Sequence, residues 1–535
     1  MVGGARRPPV RVGGVRRRHL LLPVVLLAGL TAACTGAPTP SASGRPDNSA
    51  MVLAEATEPA SLNPLDGYAP YGSSKIFDGL LEHQADGSLH PVLAASAPVP
   101  SADGKSWTVT VRGKITFSNG APFTAADVVA TYQALLNPAF DSPLRAGYSM
   151  LTAVTQTDPD TVRFDLAYPY APFPDKLVLG ILPAAALSTP APVASAPTPV
   201  GTGPYLLQSW TKGQNMVLAS NPHYSLGAPP KVKRVTVDFI PDDATRAQRL
   251  RAGKLDGAAL SPTQAAQFAK SDAFTVLTDP SADIRAITLP TSNPVAGDPA
   301  IRLALNTAVN RASMVTKAFG GQGGPATTPI PSVLPEDIEP AATFSYDPAK
   351  TQTQLDAAGW TVGADGIRVH NGVTAEFTLD YPTGDTGDAA LAQEFATDAK
   401  AVGIKVDLAA VDPAQLAGKE GTDAVLISTG NPFDPDLTTY DLLDSGAGNP
   451  FGYHDNDVDT ALQTARSQLD PGQRAVAYRA FQRAYVANPA LVCLVEVNHT
   501  FVLRANWTGY VQVTDAAGQG INWGPLWNLD QWIPR

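Results

Sequence analysis

Apolar and polar positions alternate with a period of two in several short stretches of the chain. Trp107, Val109 and Val111 stand between Thr108, Thr110 and Arg112, and Val162, Phe164 and Leu166 between Arg163 and Asp165. Each stretch predicts a half-buried strand, and both are expected in one sheet. Elsewhere the period lengthens to that of a helix. Val128, Tyr132, Leu135 and Leu136 follow the capping-box-like Thr124-Ala125-Ala126-Asp127 and run to Asn137-Pro138, which predicts a helix with defined ends. Asp298-Pro299 opens a second, with Ile301, Leu305, Ala308 and Val309 on one face and Gly320-Gly321 beyond its end. Leu391 and Phe395 lead a helix that stops at Gly403, after which Ile404, Val406 and Leu408 alternate with Lys405 and Asp407. Asp470-Pro471 opens a helix whose stripe of Tyr478, Phe481 and Tyr485 reads as core, with Arg474, Arg479 and Arg483 mainly outside it. Strands and helices of ordinary length in alternation predict an α/β fold.

The first residues follow a different pattern. Six arginines (Arg6, Arg7, Arg11, Arg16, Arg17, Arg18) precede an apolar run from Leu20 to Leu30, then Thr31-Ala32-Ala33-Cys34. The run is broken by Pro23 and is too short for the ~20 residues of a bilayer-spanning helix, so residues 1–33 read as a secretory signal peptide. Cys34 behind small residues resembles the lipobox of bacterial lipoproteins, with Thr31 where an aliphatic residue is usual. The resemblance implies a lipid anchor on Cys34. Arg17-Arg18-His19-Leu20-Leu21 also resembles a twin-arginine signal, and the export route stays open between this and the general one. Thr35 to Ser49 holds only small, polar, proline and single charged residues and reads as a tether, residues 34–50. A similar stretch, Ser188 to Val200, reads as an exposed polyproline-like loop.

Composition then narrows the function. The 535 residues carry a net charge of −11, which becomes −17 as the six leader arginines leave. A nucleic-acid binder needs a basic face, and none is visible. Of two cysteines, lipidation takes Cys34; Cys493, inside Leu491-Val492-Cys493-Leu494-Val495, reads as buried core, so no intramolecular disulfide is expected. Seven scattered histidines show no ligand spacing, and neither a metal nor another cofactor is expected. No nucleophile elbow, zinc-protease helix or phosphate loop occurs. Gly320-Gly321-Gln322-Gly323-Gly324 follows a helix and lacks the Lys-Ser or Lys-Thr of such a loop, so it reads as a flexible connection. No catalytic residue is predicted, and binding is favoured over catalysis.

Ordered segments carry a family resemblance. They are Ile76-Phe77-Asp78-Gly79-Leu80-Leu81-Glu82, Asp103 to Val109, and Phe117-Ser118-Asn119-Gly120-Ala121-Pro122-Phe123-Thr124-Ala125-Ala126-Asp127-Val128. Further along come Pro199 to Tyr205, Asn221-Pro222-His223-Tyr224, Arg251 to Asp256, Tyr346 to Lys350, and Ala357-Ala358-Gly359-Trp360. Together they resemble the extracytoplasmic solute-binding proteins of ABC importers, in the dipeptide and oligopeptide cluster (family 5). The resemblance implies a two-lobed clamp of the type II periplasmic-binding-protein kind with an extra subdomain in the first lobe. Its expected divisions are lobe I at 51–289, with the subdomain at about 86–198, lobe II at 290–498, and a return to lobe I at 499–535. The chain is expected to cross between lobes near Leu289 and His499. A solute touching both lobes stabilises the closed state by its differential affinity. The implied partners are a small-molecule or peptide solute, the permease subunits of an ABC transporter, and the membrane through the anchor; the protein is expected to be a monomer.

The same resemblance places the cleft. Peptide binders of this cluster resemble one another in a loop ending in an Asp-Pro-Asp-like string, with an earlier aspartate that pairs with the ligand's α-amine. Here the loop reads Thr429-Gly430-Asn431-Pro432-Phe433-Asp434-Pro435-Asp436, and neutral Asn431 falls at the amine position. An ammonium buried there loses a charge-assisted bond, so a neutral, N-blocked or glycosidic solute is expected. Asp434 is an alternative partner for an amine, and turn or capping duty is the other reading of Asp434 and Asp436. Tyr68 and Tyr71 in the first-lobe loop, Phe433, and His499 at the crossing complete the candidate ligand residues. Two other classes remain open: a regulatory or scaffolding lipoprotein on the same fold without transport, and an exported hydrolase.

Overall fold

The computed structural model describes residues 49–189, 199–416, 418–516 and 520–535. The leader, Cys34, nearly all of the tether and most of the Ser188–Val200 loop lie outside the described residues.

Two large sheets organise the chain. The first has seven strands, in the order Phe274–Asp279, His499–Arg504, Gly257–Leu260, Ala50–Glu55, Arg234–Phe239, Asn215–Ser220 and Tyr205–Thr211. Ala50–Glu55 runs parallel to both Arg234–Phe239 and Gly257–Leu260. The second has six, in the order Gly323–Pro325, Leu491–Val497, Ile284–Thr288, Ala424–Thr429, Glu376–Pro382 and Lys405–Val411. Each sheet is covered by its own apolar cluster, Leu53, Val235 and Val237 among the first and Ile287, Leu379 and Phe395 among the second. This is the mixed α/β, two-lobed clamp.

The predicted alternating stretches pair as expected, Trp107 opposite Phe164 and Val109 opposite Val162, in a four-stranded sheet of Val99–Pro100, Ser106–Thr110, Thr161–Leu166 and Leu151–Asp158. The helix Ala125–Leu136 packs on it, and its start is fixed by the Asp127 carboxylate, which accepts from the Thr124 N–H at 2.8 Å. Thr386–Ala401 and Lys405–Val411 form the expected helix-to-strand unit, the strand lying parallel to Glu376–Pro382. Pro471–Ala487 is capped by Asp470 and buries Tyr478, Phe481 and Tyr485.

Two expectations change. The helix opened by Asp298-Pro299 ends at Ala308, and a second, Arg311–Phe319, begins at once, because Asn310 caps it by accepting from Ser313 N–H while its own N–H donates to Asp398. The glycine run beyond it is not a free connection: Gly323–Pro325 pairs with Leu491–Val497 as an edge strand. Gly323 has φ +133°, and a Cβ there would stand 2.1 Å from the Glu496 carbonyl oxygen, so only glycine fits.

The chain passes from the first sheet to the second between Asp279 and Ile284, one strand before Leu289, and returns between Val497 and His499. The passages lie side by side. Val497 N–H donates to Asp283 O at 2.9 Å, and the Ser281 hydroxyl to Val497 O.

Candidate functional site

The loop after strand Ala424–Thr429 projects from the second sheet toward the first lobe. Gly430 turns it at φ +113°, where a Cβ would stand 2.0 Å from Ala282 O. Asn431 is fully buried, and its Oδ1 accepts from the N–H groups of Phe433 (2.8 Å) and Asp434 (3.3 Å), an Asx turn that fixes the loop. Its Nδ2 is buried without a hydrogen-bond partner among the described residues. Beside it stands Tyr71, whose phenol is raised by burial and drawn back in part by the Asn431 side chain.

Phe433 reaches across the seam. Its ring stacks on the buried His83 imidazole (centroids 3.5 Å, 10°), meets Trp523 edge-on at 5.1 Å and tilts against Tyr71 at 6.2 Å. His83 is held from its other sides, Nε2 against Asp175 Oδ1 at 2.9 Å and Nδ1 against Tyr71 O at 3.2 Å. Burial raises the Asp175 carboxyl.

Both loop aspartates are engaged. Arg474 donates two parallel bonds of 2.8 Å to Asp434, which also accepts from the Tyr478 hydroxyl and from Asp436 N–H. Arg466 donates to Asp436 at 3.1 and 2.9 Å, and the Tyr170 hydroxyl, from the four-stranded-sheet side, donates to the same carboxylate at 2.9 Å. Burial alone would lower both guanidinium pKa values, but the facing carboxylates raise them. Ala171 N–H donates to Arg466 O at 2.8 Å, so backbone also joins the two sides. Here a cavity of about 400 Å³ opens between them, lined by Tyr168, Tyr170 and Lys176 from one side and Asp436, Tyr440 and Arg466 from the other. Arg466 lies 3.1 Å over the Tyr440 ring centroid, and burial lowers the Lys176 pKa. Polar, aromatic and cationic groups converge here, an arrangement suited to holding a solute.

The remaining sequence candidates lie elsewhere. His499 sits at the chain passage with both ring nitrogens engaged, Nε2 with Asp283 Oδ2 (3.1 Å) and Nδ1 with Asp515 Oδ2 (2.8 Å); against the opposing effect of burial, these carboxylates raise it to about 10. Asp283 also accepts from Arg285, whose other amino group meets Asp388. Tyr68 is buried in the first lobe beside a separate cavity. Of the sequence candidates, Tyr71, Asn431 and Phe433 lie together in the fold, whereas sequence reasoning did not name His83, Tyr170, Asp175, Arg466 and Trp523, which only the tertiary fold brings there. Among the described residues, no group of three histidine, cysteine, aspartate or glutamate side chains is placed to hold a metal ion, and no helix is long and apolar enough to cross a membrane.

Known proteins resemble this chain along most of its length. The sequence model for bacterial extracellular solute-binding proteins, family 5 Middle, matches residues 88–451. Protein XP55 of Streptomyces lividans is 40% identical, over 93% of this chain and 94% of its own length. The nickel-binding periplasmic protein of Escherichia coli K12 is 28% identical, over 70% and 75% respectively. The crystal structure of NikZ from Campylobacter jejuni in complex with Ni(L-His) superposes with a TM-score of 0.81 at 27% identity, covering 91% of this chain and 99% of that one.

Proposed function

Because the chain belongs to the bacterial extracellular solute-binding proteins of family 5, we propose that it is a lipid-anchored clamp that closes on a small, peptide-like solute lacking a free α-amine. It is a solute-binding protein that works outside the cytoplasm and serves an ABC transporter. The finer reading assigns residues 1–33 to export, Cys34 to the anchor and 34–50 to the tether. We divide the rest into lobe I from residue 51 to the passage at 280–283, with the subdomain inside it, lobe II to Asn498, and the return from His499. Anchoring keeps the clamp near its permease and raises its effective concentration there. We assign no chemistry to it.

One observation carries the specificity: at the loop where an amine partner is expected, Asn431 is neutral, and Asp434 and Asp436 are already paired with Arg474 and Arg466. Releasing either aspartate to hold an ammonium would strand a half-buried guanidinium. The buried Asn431 Nδ2 instead offers a donor to a carbonyl oxygen, as an acyl-blocked terminus supplies. Isothermal titration calorimetry with trialanine and Nα-acetyl-trialanine tests this. The acetylated peptide should bind at least tenfold more tightly, and Asn431→Asp should reverse the order. Micromolar binding of unmodified di- or tripeptides, lost in Asp434→Asn, would overturn it.

A further inference from the structure

A second carboxylate site lies apart from that loop, in the first lobe. Glu55 ends the strand Ala50–Glu55, which is flanked by two parallel strands, and the space beyond the carboxyl ends of such strands is where α/β sheets receive ligands. Two cavities meet at Glu55 and share Thr57 and Gly520 with it. One, of about 300 Å³, is lined by Asp66, Tyr68 and Asn522; the other, of about 210 Å³, extends to His499, Asp515 and Trp523.

The charges in the larger cavity are of one sign. Its lining holds Glu55, Glu58 and Asp66 and no lysine, arginine or histidine. Glu58 is occupied, accepting from Trp210 Nε1 and from Gly213 N–H. The carboxylates of Glu55 and Asp66 have no hydrogen-bond or ion-pair partner among the described residues. Arg246 acts on Glu55 only through space, because its N–H groups donate to Ala259 O, Ile240 O, Pro241 O and Asp243. Two further polar atoms of the lining are orphaned: the Tyr68 hydroxyl and Asn522 Oδ1 are buried without partners, in residues 5% and 6% exposed. Burial raises the Tyr68 phenol to about 12, and the Ser74 and Asn522 side chains beside it draw it back in part. A half-buried carboxylate with an acceptor oxygen nearby and no cation in direct contact is costly to ionise unless a bound group supplies the opposite charge.

We propose that this chamber is a cation subsite of the clamp, receiving the guanidinium or alkylammonium group of the captured solute against Glu55 and Asp66, with Asn522 Oδ1 as a further acceptor. The inference rests on the solute-capture reading and adds to it: the solute is blocked where Asn431 meets it and carries its positive charge at a distance. A guanidinium suits the chamber best, since it can donate to a carboxylate and an amide oxygen at once. Burial holds the Glu55 carboxyl up at about 7, with Arg246 opposing the rise and Asp515 adding to it. A cation arriving below that pH draws the proton off.

Calorimetry with Nα-acetyl-arginine amide and its neutral counterpart Nα-acetyl-citrulline amide tests the subsite on the purified protein. The arginine probe should bind at least tenfold more tightly. At pH 6 its heat should vary with the ionisation enthalpy of the buffer, reporting proton release. Glu55→Gln should abolish both the preference and the proton release while leaving the citrulline probe unchanged, and Asp66→Asn should weaken the preference. Equal affinities, no binding of the arginine probe, or a preference that survives Glu55→Gln would overturn the proposal. Native mass spectrometry separates the two readings: a co-purified solute retained equally by wild type and Glu55→Gln leaves capture standing and removes the subsite.

Discussion

The loop Asn431–Asp436 and the chamber at Glu55 both gather carboxylates against the interior, yet one is complete and the other is open. Asp434 and Asp436 each meet an arginine in a two-bond geometry and a tyrosine hydroxyl besides. Glu55 and Asp66 meet none among the described residues. The contrast teaches that an acidic side chain in a cleft says little about ligands until its partners are known. The paired aspartates hold the seam together, and the unpaired carboxylates are the ones free to recognise something.

The largest effect expected from breaking this contrast comes at Arg474. Arg474→Ala leaves Asp434 buried without its cation and should cost about 3 kcal/mol or more in urea unfolding, whereas Glu55→Gln at pH 8 should cost nothing. Next is Tyr170→Phe, which removes the hydroxyl that reaches Asp436 across the seam. A net loss of about 1 kcal/mol in the closed state should weaken solute binding roughly fivefold, with little change in unfolding if the seam opens before the lobes melt. Titration of the passage comes third. His499 is raised in the folded state to about 10 from a reference of 6.5, so its stabilising contribution is complete below about pH 6.5 and disappears as pH climbs through 10. Wild type should lose stability between pH 7 and 10, and His499→Asn should flatten that part of the profile. The smallest effect belongs to Glu55, whose carboxyl is also raised, to about 7, and is most favourable to folding when protonated, below about pH 4.5. Glu55→Gln should therefore gain a little stability at pH 8, and the gain should shrink as pH falls through 7 and vanish below about pH 4.5.

Local elements were largely legible in the sequence, because their signals are local. Asp470-Pro471, Thr124 with Asp127, and the alternation around Trp107 and Phe164 each mark structure through neighbours a few positions away. The break at Asn310 escaped because Ile301 to Val309 keeps the helical period up to the cap, and the competing signal, the bond from Asn310 N–H to Asp398, comes from a distant helix. The edge pairing of Gly323–Pro325 was hidden for the same reason. At the site, the loop motif located Asn431 and Phe433, and its reading as turn and capping residues fits the Asp434 bond to Asp436 N–H. Nothing near Asp436 announces Tyr170, and nothing near Phe433 announces His83. Arg474 was read as lying mainly outside the aromatic stripe of its helix, which is true of the stripe and silent about Asp434. Nothing in the sequence singles out Glu55, since the lack of a partner is a property of the folded surroundings alone.

The two neighbouring passages between the sheets carry a mechanical consequence. A single connecting strand acts as a swivel and lets the jaws turn in any direction. Two connectors fastened to each other by the Val497–Asp283 and Ser281–Val497 bonds act as a strap hinge. Such a pair bends readily about one line and resists torsion, so repeated strokes of the jaws retrace nearly the same arc and present the same docking face to the transporter on every cycle.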